Sequence, residues 1–222
     1  VAPTGATKSQ NPGGTAGSAG GVTANTGNRV QISDGTGTGD TASNSAEIRW
    51  DGSFSVVFYG GLTYWSAANP VLTVENGVGT VTASLSGYGT SMEDQSQWIP
   101  IPSQTVTLAT LTGVDVTADG ITVTPDYLGV EVNTGTAAAQ TRSGATWGSF
   151  PQDFVDFQVK TGQHSYWYSS GGARDAAKPT TPLTVSYNPP ATPAPAFSAP
   201  PKSQSVTVGG SVTFSATASD AT

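Results

Sequence analysis

One aromatic stretch decides the fold of this chain, and it reads Trp147-Gly-Ser-Phe-Pro-Gln-Asp-Phe-Val-Asp-Phe-Gln-Val-Lys-Thr-Gly-Gln-His-Ser-Tyr-Trp-Tyr168. Phe150, Phe154 and Phe157 recur at the spacing of one helical face, so the pattern predicts a short helix with a single apolar stripe. Burial of each phenylalanine would contribute roughly 1.5–3 kcal/mol. We therefore expect a core helix that packs on a sheet.

The sequence also marks both ends of this helix. Ser149 and Gln152 have the spacing of a capping box, and Pro151 stands in the first turn. Gly162 follows Lys160 closely and is the residue type that ends helices. We therefore expect the helix to begin after Ser149 and to end before Gly162.

The composition of the remaining chain favours strands. Of the 222 residues only 10% are charged, while 28 are Gly and 15 are Pro. Low charge with abundant Thr, Ser, Val and Gly is typical of secreted proteins built from strands and turns. We predict an all-β fold class, an antiparallel β-sandwich or barrel-like domain with one short helix, followed by immunoglobulin-like strands at the C-terminal end.

Charge, hydropathy and cysteine content exclude several classes of protein. The formal net charge is −7 and the basic residues do not cluster, which argues against nucleic-acid binding. No apolar run reaches the ~18 residues of a membrane-spanning helix. The absence of cysteine excludes disulfides and thiolate metal sites. We expect an exported protein that is extracellular, at the cell surface or in the cell wall.

Shifts in composition divide the chain into four parts. These are a Gly/Ser/Thr-rich N-terminal arm at 1–46, a β-rich domain at 47–187, a Pro-rich linker at 188–202 and the start of an immunoglobulin-like domain at 203–222. The arm is too polar to offset an ordering entropy of ~1–2 kcal/mol per residue by itself. Residues 34–40 carry two carboxylates, fewer than a calcium loop uses, and we interpret them as a flexible glycine linker.

The last part has the alternation of half-buried strands. The alternating apolar residues are Val206, Val208, Val212 and Phe214. Two strands are marginally stable on their own, so we expect them to be completed in cis or by a neighbouring chain through strand addition. These four side chains are our candidate assembly residues.

Within the β-rich domain, alternating runs and turn residues predict the strands. Asn76-Gly77 between two such runs predicts a hairpin, and Gly60-Gly61 predicts a bulge inside a strand. Residues 87–102 are predicted to be a turn-rich excursion. The predicted strands are 53–59, 62–65, 71–74, 79–85, 104–109, 114–117, 121–124, 128–132, 166–169 and 183–187.

Residues that could do chemistry are few. His164 is the sole imidazole and no Gly-x-Ser-x-Gly elbow accompanies it, so we interpret it as a turn or core histidine. Asp153 and Asp156 are interpreted as solvated charges of the helix. A glycosidase pair of Glu93 with Asp126 has no supporting pattern. We predict that the protein is not an enzyme.

The aromatic side chains are the remaining candidates for ligand binding. Exposed rings are how sheets bind sugars, haem or a partner subunit, while the alternative is packing in the core. In the triplet 166–168 a strand would place the outer two rings on one face. The aromatic residues of interest are Tyr59, Tyr64, Trp65, Tyr88, Trp98, Tyr166, Trp167 and Tyr168. The candidate ligand-binding residues are Tyr59, Tyr64, Trp65, His164, Tyr166 and Tyr168.

One segment resembles a known family. It reads Gly52-Ser-Phe-Ser-Val-Val-Phe-Tyr-Gly-Gly-Leu-Thr-Tyr-Trp-Ser-Ala-Ala-Asn-Pro70 and is similar to the central motif of the Htaa-type domain, found on actinobacterial surfaces and associated with haem uptake. Where the family places its histidine, this chain has Tyr59. The family's Trp-Gly helix precedes the sheet, whereas Trp147-Gly148 follows it here. The resemblance implies a surface β-domain, and a haem site in which the Tyr59 phenolate would bind ferric iron.

Three functional hypotheses follow. The leading one is a non-enzymatic extracellular structural or adhesive module without a cofactor, which self-assembles into filaments through its arms or binds another surface protein. The second is a haem-binding surface domain of an iron-uptake system. The third is a carbohydrate-binding module whose partner is a glycan.

Overall fold

The computed structural model describes residues 6–9, 29–58, 62–90, 97–187 and 196–199, and then 203, 205, 207–209, 211, 213, 215 and 217–219. The chain divides into two compact units, Val1–Ser186 and Tyr187–Thr222. The finer four-part division of the sequence stays a prediction.

The first unit consists mainly of antiparallel strands, which confirms the predicted all-β fold class. Its α-helix is α1 (Gln152–Lys160), and 3₁₀ turns lie at His164–Tyr166 and Asp175–Ala177. The strands are β1 (Ala6–Ser9), β2 (Arg29–Ile32), β3 (Thr36–Asp40), β4 (Ser45–Arg49), β5 (Ser53–Phe58), β6 (Thr63–Glu75), β7 (Val78–Thr90), β8 (Trp98–Leu111), β9 (Gly120–Val123) and β10 (Leu183–Ser186).

A six-stranded main sheet organises this unit. Its order is β3-β4-β6-β7-β8, and β5 also pairs with β6. Strands β4 and β5 follow one another along the same edge of β6, with Arg49 opposite Val71 and Ser53 opposite Ala68. The pairs β1–β2 and β9–β10 form separate two-stranded sheets. The long strands β6 to β8 therefore form most of the two faces of the main sheet.

The hairpin between β6 and β7 has the turn that the sequence predicts. Asn76 and Gly77 have φ angles of 49° and 79°, the left-handed values that an Asn-Gly turn adopts readily. The turn is tied to the rest of the unit, because Val114 N–H donates to the Gly77 carbonyl oxygen at 2.9 Å. The Asn44 side chain also bonds the main chain of Val114 and Val116, both at 2.8 Å.

The core lies on one face of the main sheet, which we call the inner face. Alternate residues of each strand point to it, and α1 covers it with Phe154 and Phe157. Both phenylalanines are buried, which confirms the predicted core helix. The sheet residues of this cluster are Trp65, Ala67, Ala83, Leu85, Ile101 and Val106.

The two helix ends differ in how well they were predicted. Gly162 has a φ of 75°, and its N–H donates to the Val159 oxygen while Gln163 N–H donates to the Gln158 oxygen, both at 3.1 Å. These two bonds form a Schellman motif, so the predicted end is confirmed. The capping box is wrong, because the Ser149 hydroxyl donates to the adjacent Phe150 carbonyl at 2.7 Å instead.

The glycine-rich segment before β4 is not a flexible linker. Residues 36–40 form β3, an edge strand in register with β4. Main-chain hydrogen bonds hold such a strand without large side chains, and a Cβ at Gly37 would collide with the main chain of Glu47. Glycine is therefore what permits this pairing, and the linker prediction was wrong.

Four other predicted elements differ in the structure. Residues 114–117 form no strand, and the Asn44 side chain bonds the main chain of Val114 and Val116 where a neighbouring strand was expected. Residues 128–132 contribute one bridge, between Leu128 and Gly148. The predicted excursion at 87–102 is largely strand, since β7 continues to Thr90 and β8 begins at Trp98. Residues 166–169 complete a 3₁₀ turn and then make a single bridge from Tyr168 to Ser149.

In the second unit, β11 (Ala196–Ala199) pairs with β12 (Thr217–Ser219). Strand β11 lies inside the predicted linker, in a stretch of four residues without proline. Val208 lies in a turn before Gly209 and is fully exposed, so it is not the half-buried strand residue that we predicted. Val206, Val212 and Phe214 lie outside the described residues. The immunoglobulin-like assignment stays a prediction.

Candidate functional site

The face of the main sheet opposite α1, which we call the outer face, carries small hydroxyl side chains. On it Ser55 lies opposite Ser66, with 2.7 Å between the two hydroxyl oxygens, and Ser66 lies opposite Ser86. The next row runs Ser53, Ala68, Ser84 and Thr105. We call these the serine rows. Neither row holds a charged side chain, so this part of the surface is neutral and polar.

Beside the serine rows lies a line of aromatic side chains, which we call the aromatic row. Tyr64, Tyr88 and Trp98 belong to it. The ring centroids of Tyr64 and Tyr88 are 5.6 Å apart at 64°, and those of Tyr88 and Trp98 are 5.7 Å apart at 67°. Tyr88 is 36% exposed and Trp98 41%. Edge-to-face pairs of this kind add about 0.5–1.5 kcal/mol each, so they hold the exposed rings in place.

Two glycines determine that Tyr88 faces outward. Gly87 and Gly89 flank it and belong to the inner face by alternation. A Cβ at Gly89 would meet the Lys160 carbonyl oxygen at 2.8 Å, so glycine lets the end of α1 approach the sheet. A Cβ at Gly87 would meet the Tyr64 carbonyl oxygen at 2.6 Å. Because the inner positions admit only glycine, the ring between them lies on the outer face.

The predicted binding residues of β6 separate onto opposite faces. Tyr64 belongs to the aromatic row, whereas Trp65 is 3% exposed and lies in the core. Its indole packs edge-on against Phe154 at 5.6 Å and Trp167 at 5.7 Å. Tyr59 lies outside the described residues, directly after Phe58, which is 53% exposed. The sequence pattern therefore found one member of the aromatic row among the candidate ligand residues.

The other predicted group, near His164, is brought partly together. The His164 and Tyr168 rings stack at 6.1 Å and 18°. Tyr168 is buried and donates its hydroxyl to the Ala138 oxygen at 2.6 Å, while Tyr166 is exposed. Burial raises the pKa of Tyr168 and lowers the pKa of His164. Because a 3₁₀ turn replaces the predicted strand, the two tyrosines do not share a face, and that prediction was wrong.

The described acidic candidates have structural partners. Asp153 is not simply solvated, because its Oδ2 accepts the N–H of Thr107 in β8 at 2.7 Å. Asp156 accepts the Gln152 side-chain amide at 2.8 Å. Asp126 accepts the Thr112 hydroxyl at 2.7 Å and lines a cleft of about 400 Å³ with Leu128 and Thr180, among others. Glu93 lies outside the described residues.

A buried lysine that the sequence reading missed orders the segment after α1. Lys178 Nζ donates to the carbonyl oxygens of Ser165 at 2.8 Å and Tyr168 at 2.7 Å. It also donates to Ser170 Oγ at 3.1 Å and to Asp175 Oδ1 at 2.6 Å. We call these five residues the Lys178 clamp. The sequence signal for it is weak, since a pair three residues apart usually lies on a solvated surface.

The charge state of Asp175 follows from this environment. Burial alone would raise the pKa of its carboxyl group. The Lys178 ammonium and the N–H groups of Ser170 and Gly171 outweigh burial and hold that pKa below its ordinary value. Asp175 is therefore ionised in the folded protein at neutral pH.

Neither a metal centre nor a membrane helix is found in the described part of the chain. There, no group of three or more His, Cys, Asp or Glu side chains could hold a metal ion. No described helix is long and apolar enough to cross a membrane.

Comparison with known proteins gives one kind of match, to solved structures. No family model matches the sequence, and no curated protein matches it. Among solved structures, the chain is similar to a domain-swapped dimer of a variant of the C-terminal domain of HtaA from Corynebacterium glutamicum. The identity is 14% over 82% of each chain, and the TM-score is 0.39.

Proposed function

We propose that this protein is a non-enzymatic adhesive module that binds a neutral glycan through the outer face. The observation that carries the proposal is the aromatic row beside the uncharged serine rows. A group of exposed aromatic rings on a protein surface typically marks a site that binds a ligand or a partner.

The chemistry of the two kinds of row matches the two kinds of surface on a sugar. A sugar ring presents C–H groups on its faces, and these pack on aromatic rings such as Tyr88 and Trp98. Its hydroxyl groups need partners that both donate and accept, which serine hydroxyls do. The neutral serine rows select against charged ligands, because they offer no counter-ion to compensate the desolvation of a charge. A neutral polyhydroxylated chain is the ligand that fits all three properties.

The non-enzymatic and extracellular parts of the proposal rest on other features. Asp126 and Asp153 hold a threonine hydroxyl and a strand N–H, so these carboxylates have structural roles. The low charge and the strand-rich composition support an exported protein. Adhesion through a preformed sheet face needs no conformational change and no cofactor.

Binding of the full-length chain to an array of neutral and acidic glycans tests the proposal. We expect retention on neutral glycans, and Tyr88→Ala should weaken it by about tenfold, since one aromatic contact contributes on the order of 1.5 kcal/mol. The matched control is Tyr166→Ala, which removes another exposed tyrosine and should leave the affinity unchanged. Failure to bind any neutral glycan, or equal affinity of Tyr88→Ala and wild type, would exclude this function.

Haem is the alternative that the Htaa-type resemblance implies. The described candidates do not form one ligand set, because Tyr64 and Trp65 lie on opposite faces and Tyr168 donates its hydroxyl to Ala138. The haem hypothesis therefore depends on Tyr59. Titration with hemin tests this hypothesis. Saturable binding that is lost in Tyr59→Phe and kept in Tyr64→Phe would support a haem site. A spectral change that does not saturate would exclude it.

A further inference from the structure

Two hydroxyl groups of the serine rows are bonded to each other. The Oγ atoms of Ser55 and Ser66 are 2.7 Å apart, and either of them could be the donor. The two residues lie directly opposite each other in the register of β5 and β6, so main-chain pairing fixes the place of both oxygens. Both residues are only half-buried, so they are accessible from the outer face. We call them the Ser55–Ser66 pair.

The hydrogen-bonding capacity of the Ser55–Ser66 pair is only partly used. A serine hydroxyl has one donor and two acceptor positions, and the bond within the pair uses one donor and one acceptor. Neither hydroxyl makes another hydrogen bond with the described part of the chain. The pair can therefore donate to one atom of a ligand and accept from another at the same time.

Two neighbouring hydroxyls of a sugar ring match this arrangement. Two gauche hydroxyl oxygens on adjacent ring carbons lie about as far apart as hydrogen-bonded oxygens do, which is also the spacing of the Ser55–Ser66 pair. One sugar hydroxyl can donate to the pair while its neighbour accepts from it. A bond between the two sugar hydroxyls then closes a ring of hydrogen bonds, in which each bond polarises the next.

The surroundings of the pair bring a sugar into this position. Ser66 lies next to Tyr64 on the same face of β6 and opposite Ser86, which lies next to Tyr88 on β7. The Ser55–Ser66 pair therefore adjoins the aromatic row. A sugar that packs its C–H face on the ring of Tyr64 directs the hydroxyls of its rim sideways, and the pair lies on that side.

We propose that the Ser55–Ser66 pair recognises a vicinal diol, that is, two free hydroxyls on neighbouring carbons of one sugar. The inference rests on the proposed glycan function and makes it more specific, because it selects among neutral glycans by linkage. In a 1,4-linked chain of pyranose sugars, every residue keeps two free hydroxyls on neighbouring carbons. In a 1,3-linked chain the linkage lies between the free hydroxyls, so residues inside the chain have no such pair.

Titration of the full-length chain with matched oligosaccharides tests the inference. The probes are linear hexasaccharides of glucose, mannose, galactose and xylose, each in a 1,4-linked and a 1,3-linked form. Methyl ethers block the terminal sugar of every probe, so that only residues inside the chain offer free hydroxyls. For the sugars that bind, we expect the 1,4-linked form to bind about tenfold more tightly, because the diol makes two hydrogen bonds with the pair.

Two variants assign this preference to the pair. Ser66→Ala removes one hydroxyl, so the two linkage forms should then bind within about twofold of each other. Tyr88→Ala should weaken both forms alike and keep their ratio. Thr122→Val is the matched control, because the Thr122 hydroxyl also bonds a hydroxyl across two strands, that of Thr184 at 3.5 Å, but in the β9–β10 sheet. This control should bind both forms as wild type does.

The outcomes separate this inference from the proposed function. Equal affinity for the two linkage forms, with binding still weakened by Tyr88→Ala, would overturn the diol and leave the glycan function standing. A linkage preference that persists in Ser66→Ala would also overturn the role of the pair. Absence of binding to all of the probes and to every other neutral glycan would overturn both.

Discussion

Replacement of Lys178 by methionine is the sharpest test of how the segment after α1 is held. The side chain of Lys178 is 8% exposed and that of Asp175 is 16% exposed, so both charges are largely out of water. Methionine has a similar length but donates no hydrogen bond. It would leave a buried carboxylate without its ion pair and the Ser165 and Tyr168 oxygens without a donor.

The expected magnitude follows from these contacts. Loss of one partner of a buried ion pair typically costs 3–5 kcal/mol, because the remaining charge stays uncompensated. We therefore expect Lys178→Met to lower the free energy of unfolding by about 3–5 kcal/mol. Adding Asp175→Asn removes the unpaired charge. The double variant should therefore be about 1–3 kcal/mol more stable than the sum of the two single changes predicts.

The assay is urea denaturation of the two single variants, the double variant and wild type, analysed as a double-mutant cycle. Lys160→Met is the matched control, since that ammonium is exposed and bonds Gln104 at 3.1 Å, and we expect a change within about 0.5 kcal/mol. A change of less than about 1 kcal/mol for Lys178→Met would refute the stabilising role of the Lys178 clamp. A double variant whose loss of unfolding free energy equals the sum of the two single losses would refute it as well.

The pH dependence of the same variants gives an independent check. The folded pKa of Asp175 lies below its unfolded value of about 3.9, so its contribution is present above that pH and is lost as the pH falls through the folded pKa. A protonated Asp175 carries no charge, so it gains no ion-pair energy from the Lys178 ammonium. The difference between wild type and Lys178→Met should therefore shrink below about pH 4.

Three further predictions concern the core, the histidine and the β8 edge. Phe154→Ala should lower the free energy of unfolding by about 3–5 kcal/mol in thermal or urea melts, whereas less than about 1 kcal/mol would mean that α1 lies outside the core. The folded pKa of His164 lies below its unfolded value of about 6.5. The contribution of His164 to stability is therefore complete above that pH and is lost as the pH falls through the folded pKa. His164→Gln should remove this pH-dependent decrease in stability from melts recorded at pH 5 to 8. Asp153→Ala should cost about 1–3 kcal/mol by freeing the Thr107 N–H, and an unchanged urea midpoint would contradict that role.

Much of the fold could be predicted because its signals are local. Alternation predicted the main strands, Asn76-Gly77 predicted the hairpin, and the spacing of Phe154 and Phe157 predicted the buried side of α1. These patterns depend on neighbours within one element, so they need no knowledge of tertiary contacts.

The failures arise where distant groups replace local partners. Residues 166–169 alternate as a strand would, but the Lys178 ammonium binds the Ser165 and Tyr168 carbonyl oxygens, which a strand would offer to a neighbouring strand. The Asn44 side chain likewise takes the place of a strand beside 114–117. Side chains that bond the main chain over such distances leave no periodic signal in the sequence.

The candidate site was predictable only as a set of alternatives. Alternation places Tyr64 and Trp65 on opposite faces, but it does not say which of the two is buried. That choice depends on the packing of α1, whose end approaches Gly89 and requires that position to lack a side chain. A pattern in the region 147–168 thus decides which aromatic residues of the distant β6 and β7 strands are exposed.

Because the core lies on the inner face, the stability of the unit can be measured separately from the binding that we propose for the outer face. The apolar contacts of α1, Trp65 and Leu85 stabilise the unit from the inner face, and they do not involve the rings of Tyr88 and Trp98. Exposed aromatic rings contribute little to burial and increase the hazard of association, so their cost is best explained by a ligand or partner that covers them. Tyr88→Ala should accordingly weaken the proposed binding and lower the free energy of unfolding by about 1–3 kcal/mol, through the loss of its two edge-to-face pairs. Phe154→Ala should lower it by about 3–5 kcal/mol and leave the binding affinity of the folded protein unchanged.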